Sequence, residues 1–398
     1  MSEGVHVRHC WKVIARSLLS LALASPVPVL AQSALLRDIH PGKQDAPDAL
    51  RQPVAFGGKV YFLGATPMTG DEMWQTDGTP AGTSLVMDLA PGPDSSLTSN
   101  FVEVGGSLYF TARQGDADSE ALWKSDGTMA GTVRLKSALL PGWADAYEVD
   151  ELTRVGTGLF FSAHFDDSGK ELWKSDGTSA GTVRVKDLHP GPQGSNPRNF
   201  RAAGSTLFFL ADSGGGDALW KSDGSEAGTV ALHQFTVDGW WPSLEVVGNT
   251  AFLLLPKEGH TELWRSDGTA AGTVKLTDLP GSETWEALPC GGRLYVWNTR
   301  GLWTSDGTPG GTRALESFTS VNGDIVELGG AALFFGNTQN RSGLWRSDGT
   351  DAGTTPVDVE GLFGEAFFSN ASTGSVAFFF RYESEDVALW KTDGTAGG

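Results

Sequence analysis

Basic residues and cysteines are what this chain most lacks. Against 48 Asp and Glu it has 29 Lys and Arg, a formal net charge of −19. That balance argues strongly against a nucleic-acid surface, which needs clustered positive charge. The same excess of carboxylates favours solubility and attracts divalent cations or basic partners. Only two cysteines, Cys10 and Cys290, occur in 398 residues, so a disulfide framework is excluded and stability has to come from packing and turns. The few histidines form no cluster: His40 and His189 fall at equivalent places in a repeat, and His164, His233 and His260 have no recurring partner. No G-x-S-x-G, H-E-x-x-H or phosphate-binding glycine loop occurs.

Long hydrophobic runs are missing as well, apart from one at the N-terminus. Arg8, Lys12 and Arg16 precede an apolar run from Leu18 to Leu30, broken by Pro26 and Pro28. This reads as a secretory signal peptide over residues 1–31, too short to span a bilayer comfortably, with Val29 and Ala31 at the −3 and −1 positions. Cys10 lies before the apolar core and so is not placed for lipid attachment. Cleavage after Ala31 leaves 26 basic and 47 acidic residues, Cys290 as the remaining cysteine, and no integral membrane segment. The mature chain is therefore expected to be soluble and exported: secreted, periplasmic or at the cell surface.

What the chain has in abundance is one phrase, L-W-K-S-D-G-T-x-A-G-T, in eight near copies. Their tryptophans are Trp74, Trp123, Trp173, Trp220, Trp264, Trp303, Trp345 and Trp390, spaced 49, 50, 47, 44, 39, 42 and 45 residues apart. A period of about 45 residues with strand-like content suits a four-stranded propeller blade. Within a copy, four short runs rich in β-branched and aromatic residues are separated by turn signals. The first two meet at Gly105-Gly106 or its equivalents, such as Gly57-Gly58, Gly156-Thr157 and Gly329-Gly330. The second run is strongly aromatic, as in Leu159-Phe160-Phe161, and suits burial between neighbouring sheets. The third carries the tryptophan and ends in Ser-Asp-Gly-Thr, where Asp bonds nearby amides and Gly accepts positive φ. Burial of all eight indoles is expected to be a main source of cohesion.

Residues 35–42 match residues 184–191, a fourth strand and its exit. The chain past residue 31 thus begins with a fourth strand and ends, at Trp390, with a third. The expected fold is all-β, an eight-bladed propeller over residues 32–398 as a single domain, its ring closed by the N-terminal strand completing the last blade. The rival expectation is a fragment of a longer array, since Gly398 stops one residue short of the next Thr.

The copies resemble the bacterial E-L-W-x-x-D-G-T repeat family, and 171–178 (ELWKSDGT) match its signature in full. Ala121, Ala218, Gly301, Gly343 and Ala388 depart at the first position, Met73 at the second, and Ser225 replaces Thr. The resemblance covers residues 34–398. It implies an exported bacterial repeat protein with no established enzymatic activity.

The eight Asp-Gly turns recur in every copy and are expected to be structural. In a meander blade they share one face with the Gly-Gly turns, leaving the variable loops and links on the other, where binding is usually found. Those segments hold Trp143, Trp240, Trp241 and Trp285, with Tyr147, Glu148, Asp150, Glu283 and Glu286 nearby. Exposed, these indoles would stack on sugar rings while carboxylates take hydroxyls; buried, they would cap blade junctions. Asp116, Asp118 and Glu120 alternate in one loop, with Asp166, Asp167 and Glu171 in the matching loop. Oxygen ligands at alternate positions suit Ca²⁺, but no complete calcium loop occurs, so no cofactor is assigned. Cys290 is expected to be buried packing. The function these features favour is a non-catalytic binding or scaffold module for a glycan or an extracellular protein. The alternative is a propeller glycoside hydrolase or lyase with carboxylates near a central channel.

Overall fold

The computed structural model describes residues 53–96, 98–115, 119–138, 149–236, 241–281, 285–315, 318–357, 366–372, 375–383 and 386–395. The signal peptide, the strand expected at 35–42, Trp143, Trp240, Asp116 and Asp118 lie outside them.

The described chain is all-β. Seven consecutive antiparallel sheets have four strands each in simple sequence order, and an eighth has three. This is a propeller-like succession of meander blades, and each sheet corresponds to one copy of the repeat. The third sheet is typical, with strands Val149–Val155, Gly158–Ala163, Glu171–Ser175 and Val183–Lys186. Its second and third strands pair in strict register, Phe161 opposite Trp173 and Leu159 opposite Ser175. Among the described residues no helix is long and apolar enough to cross a membrane.

Glycine sets the first hairpin in two ways. Gly105 and Gly106 have φ of 59° and 76°, the doubly positive pattern of a type I′ turn that matches strand twist. Where the pair is Gly156-Thr157, the first residue alone is left-handed, at φ 59°, the pattern of type II′.

The described residues fall into two compact units, one ending at Phe235 and the other beginning at Thr236. In the first unit the core lies between successive sheets. Tyr61 and Met73 pack with Phe110 and Trp123; Tyr109 and Leu122 pack with Phe161 and Trp173; Phe160 and Leu172 pack with Phe209 and Trp220. Alternation explains the aromatic second strand, because Phe161 faces the preceding sheet and Phe160 the following one. The second unit repeats the scheme, with Phe252 against Trp285 and Val296, Tyr295 against Phe334, and Phe335 against Phe379.

The repeat tryptophans are not uniformly buried. Trp74, Trp123, Trp173, Trp220 and Trp345 are buried, Trp264 and Trp303 are half-buried, and Trp390 is 36% exposed. The expected burial of all eight indoles is thus met at five positions and corrected at Trp264, Trp303 and Trp390. In the complete sheets the fourth strand lies beside the tryptophan strand, as where Trp123 pairs with Arg134, whereas the described residues of the last sheet form three strands.

Candidate functional site

Among the described residues, seven Asp-Gly turns, from Asp77 to Asp348, are closed hydrogen-bond circuits. In the third copy, Asp176 Oδ1 accepts from the Thr178 amide at 2.9 Å and hydroxyl at 2.7 Å. The Thr178 hydroxyl accepts from the Gly181 amide, and the Ser175 hydroxyl bonds that of Thr182 at 2.8 Å. The Ser–Thr pair seven residues apart recurs from Ser125–Thr132 to Ser347–Thr354. These bonds to Thr178 hold the Asp176 carboxyl below its ordinary range. A Cβ on Gly181 would fall about 2.1 Å from the Asp176 carboxylate, so the second glycine is required sterically. One oxygen of each turn aspartate, Oδ1, is thus spent on its own turn.

At the opposite end of the sheets, the glutamate that opens the motif does work the sequence reading did not assign. Glu171 is fully buried; its Oε1 accepts from the Ser195 amide, and its Oε2 from the Leu188 amide and the Ser195 hydroxyl. Glu72, equally buried, receives the amides of Leu89 and Ala90 at 3.0 and 3.1 Å. Each carboxylate ties the link to the next sheet onto its own third strand. Burial pushes Glu72 up to about 6 and raises Glu171 as well, against the pull of those amides. Glu120, considered above for calcium, is buried and accepts from the Val149 amide at 2.9 Å. Asp166 accepts from Ser168 and from Arg184. These bonds of Glu120 and Asp166 thus go to backbone amides and to neighbouring side chains.

The aromatic candidates separate. Trp241 is 78% exposed just before the first strand of the fifth sheet. Trp285 is 5% exposed, packed with Phe252, Leu263 and Leu294; it is a core residue, and the reading of it as a stacking surface is corrected. Cys290 is buried among Tyr295, Ile325 and Phe334, and burial pushes its thiol up to about 12, so it is no nucleophile near neutral pH.

His260, Glu262 and Asp278 bring ligand-type atoms within 4.8 Å of one another. The Lys275 ammonium already lies 2.9 Å from Glu262 and 2.6 Å from Asp278, so a side-chain cation occupies the place of a metal.

One concave feature stands apart from this structural machinery. The first strands of the second, third and fourth sheets, Ser99–Val104, Val149–Val155 and Arg198–Ala203, each carry an irregularity in register. At it sit Asn100, Glu151 and Asn199, with φ of 56°, 57° and 56°. Asparagine tolerates this left-handed region, but glutamate is strained there by roughly 1–2 kcal/mol. The Glu151 carboxylate reaches the next sheet and accepts from the amides of Asn199 and Phe200 at 3.0 and 3.1 Å. Between the bulges lies a groove of about 450 Å³, lined by Asn100, Phe101, Asp150, Leu152, Thr153 and Arg201 along with Glu151 and Phe200. Asp150 Oδ2 takes the Lys170 ammonium at 2.7 Å. Desolvation by burial nonetheless raises the Asp150 carboxyl above its ordinary range, with Lys170 opposing.

No family model matches the chain, and no curated protein matches it in sequence. Among solved structures it is similar to a prolyl endopeptidase, at 14% identity and a TM-score of 0.41 over 74% of this chain and 49% of that one. It is similar to TolB from Acinetobacter baumannii, at 14% identity and 0.34 over 65% and 63%. It is also similar to the β-propeller domain of the Trilobed protease from Pyrococcus furiosus, at 12% identity and 0.38 over 75% and 95%. The chain spans about half the length of the peptidase it matches.

Proposed function

We propose that this chain is an exported, non-catalytic binding module of the E-L-W-x-x-D-G-T repeat type. In this reading residues 32–398 form one eight-bladed ring, closed by the strand at 35–42. It recognises a saccharide or an extracellular protein at the end of the sheets that bears the links. The observation that carries the reading is Trp241, an indole 78% exposed on a segment outside the repeat. An exposed large aromatic is a common anchor for ligands that present one flat apolar face.

The hydrolase or lyase reading has one observation in its favour, the adjacent carboxylates Asp150 and Glu151 in a groove. Glycoside hydrolysis by the usual route needs two carboxyl groups free to act on the substrate. Glu151 is committed to the amides of Asn199 and Phe200, and one carboxyl does not make the pair.

A glycan-array screen of the purified full chain, with and without calcium, tests the proposal beside a Trp240→Ala/Trp241→Ala double variant. Binding that the double variant loses supports it. Turnover of an array sugar would transfer the argument to the enzyme reading.

A further inference from the structure

We propose that the Asn322–Gly323 pair is a site of spontaneous covalent modification, where the asparagine deamidates to aspartate and isoaspartate in the folded chain. The proposal is independent of the binding-module reading and uses none of its residues.

Of the asparagines in the chain, Asn322 alone is followed by glycine, whose backbone nitrogen no Cβ shields. Both residues are exposed in the first strand of the seventh sheet, Phe318–Leu328. Register with the second strand breaks between Asn322, opposite Phe335, and Val326, opposite Leu333. Gly323 therefore sits in a bulge outside the ladder, at φ 74°. Among the described residues, the Asn322 side chain has one contact of hydrogen-bond length, Asn337 Nδ2 at 3.5 Å from its Oδ1. That donor faces the oxygen on which negative charge develops during attack at Cγ.

The Gly323 nitrogen attacks Asn322 Cγ, an N–Cγ bond replaces Cγ–Nδ2, and ammonia leaves with the proton that the glycine nitrogen sheds. Water then opens the cyclic imide. Cleavage at Cγ gives aspartate; cleavage at the α-carbonyl gives isoaspartate, whose backbone is longer by a methylene. The same ring closure is open in principle to the eight Asp-Gly turns, and there the structure opposes it. Each turn glycine donates its amide to the Ser or Thr hydroxyl two residues earlier, from 2.9 Å at Gly127 to 3.2 Å at Gly268. Hydrogen bonds from the Thr or Ser two residues on hold each turn aspartate below its ordinary range. An ionised carboxylate is a poor electrophile, so these turns are protected and Asn322 is not. The change would be felt locally: the Gly323 carbonyl accepts from Trp297 Nε1 at 3.0 Å, and Asp324 beside it is buried.

The purified full chain, incubated at mildly alkaline pH and followed by peptide mass spectrometry and enzymatic isoaspartyl methylation, reads the reaction directly. The expected product is confined to the peptide holding Asn322 and forms at least about tenfold faster than at any other asparagine or any Asp-Gly turn. Asn322→Gln, which keeps an amide but needs a larger ring, abolishes it, and Gly323→Ala slows it. The same chain in urea is the control, because unfolding releases the turn glycines and exposes every Asp-Gly pair to isomerisation. No product at Asn322 in the folded chain, under conditions in which the unfolded chain yields it, would overturn the proposal. An Asp-Gly turn that converts as fast as Asn322 in the folded chain, or equal product in Asn322→Gln, would overturn it as well.

Discussion

Glu171 shows how much of this fold rests on single buried side chains. Its carboxylate holds three donors of the outgoing link, the amides of Leu188 and Ser195 and the Ser195 hydroxyl. An unsatisfied buried donor costs roughly 1–3 kcal/mol, and not every donor will find water after truncation. Glu171→Ala is therefore expected to lose about 3 kcal/mol, read as a lower urea midpoint. A loss below about 0.5 kcal/mol, typical of surface changes, would mean the link is not anchored through this residue. Copies with Ala218, Gly301 or Gly343 at the same position have no carboxylate to do this work. That variation is why the role was not visible in the motif: the glutamate looked dispensable because several copies omit it.

Among elements, the Asp-Gly-Thr hairpin does two jobs at once, closing its own turn and docking onto the preceding sheet. Gly177 has φ of 88°, and a Cβ there would lie 2.4 Å from the Tyr109 hydroxyl and 2.7 Å from the Lys124 ammonium. Lys124 in turn donates to the Gly177 carbonyl at 3.3 Å. Gly177→Ala thus combines a left-handed penalty of about 1–2 kcal/mol with a clash against the neighbouring sheet. Adding Tyr109→Phe removes the hydroxyl and is expected to recover part of the loss. A double-mutant cycle on thermal unfolding measures that coupling, and strict additivity would show that the sheets do not meet at this turn.

The hairpins, strand order and sheet spacing were legible in the sequence because Gly-Gly, Ser-Asp-Gly-Thr and the aromatic second strand each have a local physical cause. The groove was not. Its bulges depend on where a first strand meets its neighbour, and the sequence marks them only by Asn100 and Asn199, both before a phenylalanine. At Glu151 even that hint is missing. Trp285 was illegible for a related reason, since a link tryptophan that caps a junction and one that faces solvent have the same local sequence.

For the whole molecule, the two kinds of carboxylate set opposing pH dependences. Turn aspartates such as Asp77, Asp126, Asp176 and Asp267 are held below their ordinary range by hydrogen bonds from the following threonine. Their folded pKa is depressed, so their stabilisation is present above the unfolded value of 3.8 and is lost as pH falls through the folded values. Glu72 behaves oppositely. Its pKa rises from 4.5 to about 6 on burial, so the native state holds the extra proton between those values. Stability is greatest below the unfolded value and falls as pH rises through the folded one, by about 2 kcal/mol in all. A formal charge of −19 adds self-repulsion with the same sign near neutrality. The chain is therefore expected to be most stable at about pH 4–5, below the usual optimum of pH 5–8. Urea midpoints measured from pH 3 to pH 8 check this, with Glu72→Ala and added salt as the separating arms. Salt flattens the repulsive part, while the variant removes the slope between about pH 4.5 and 6 that belongs to one buried carboxyl. A profile that rises steadily to pH 7 would show that the amides of Leu89 and Ala90 outweigh the burial of Glu72.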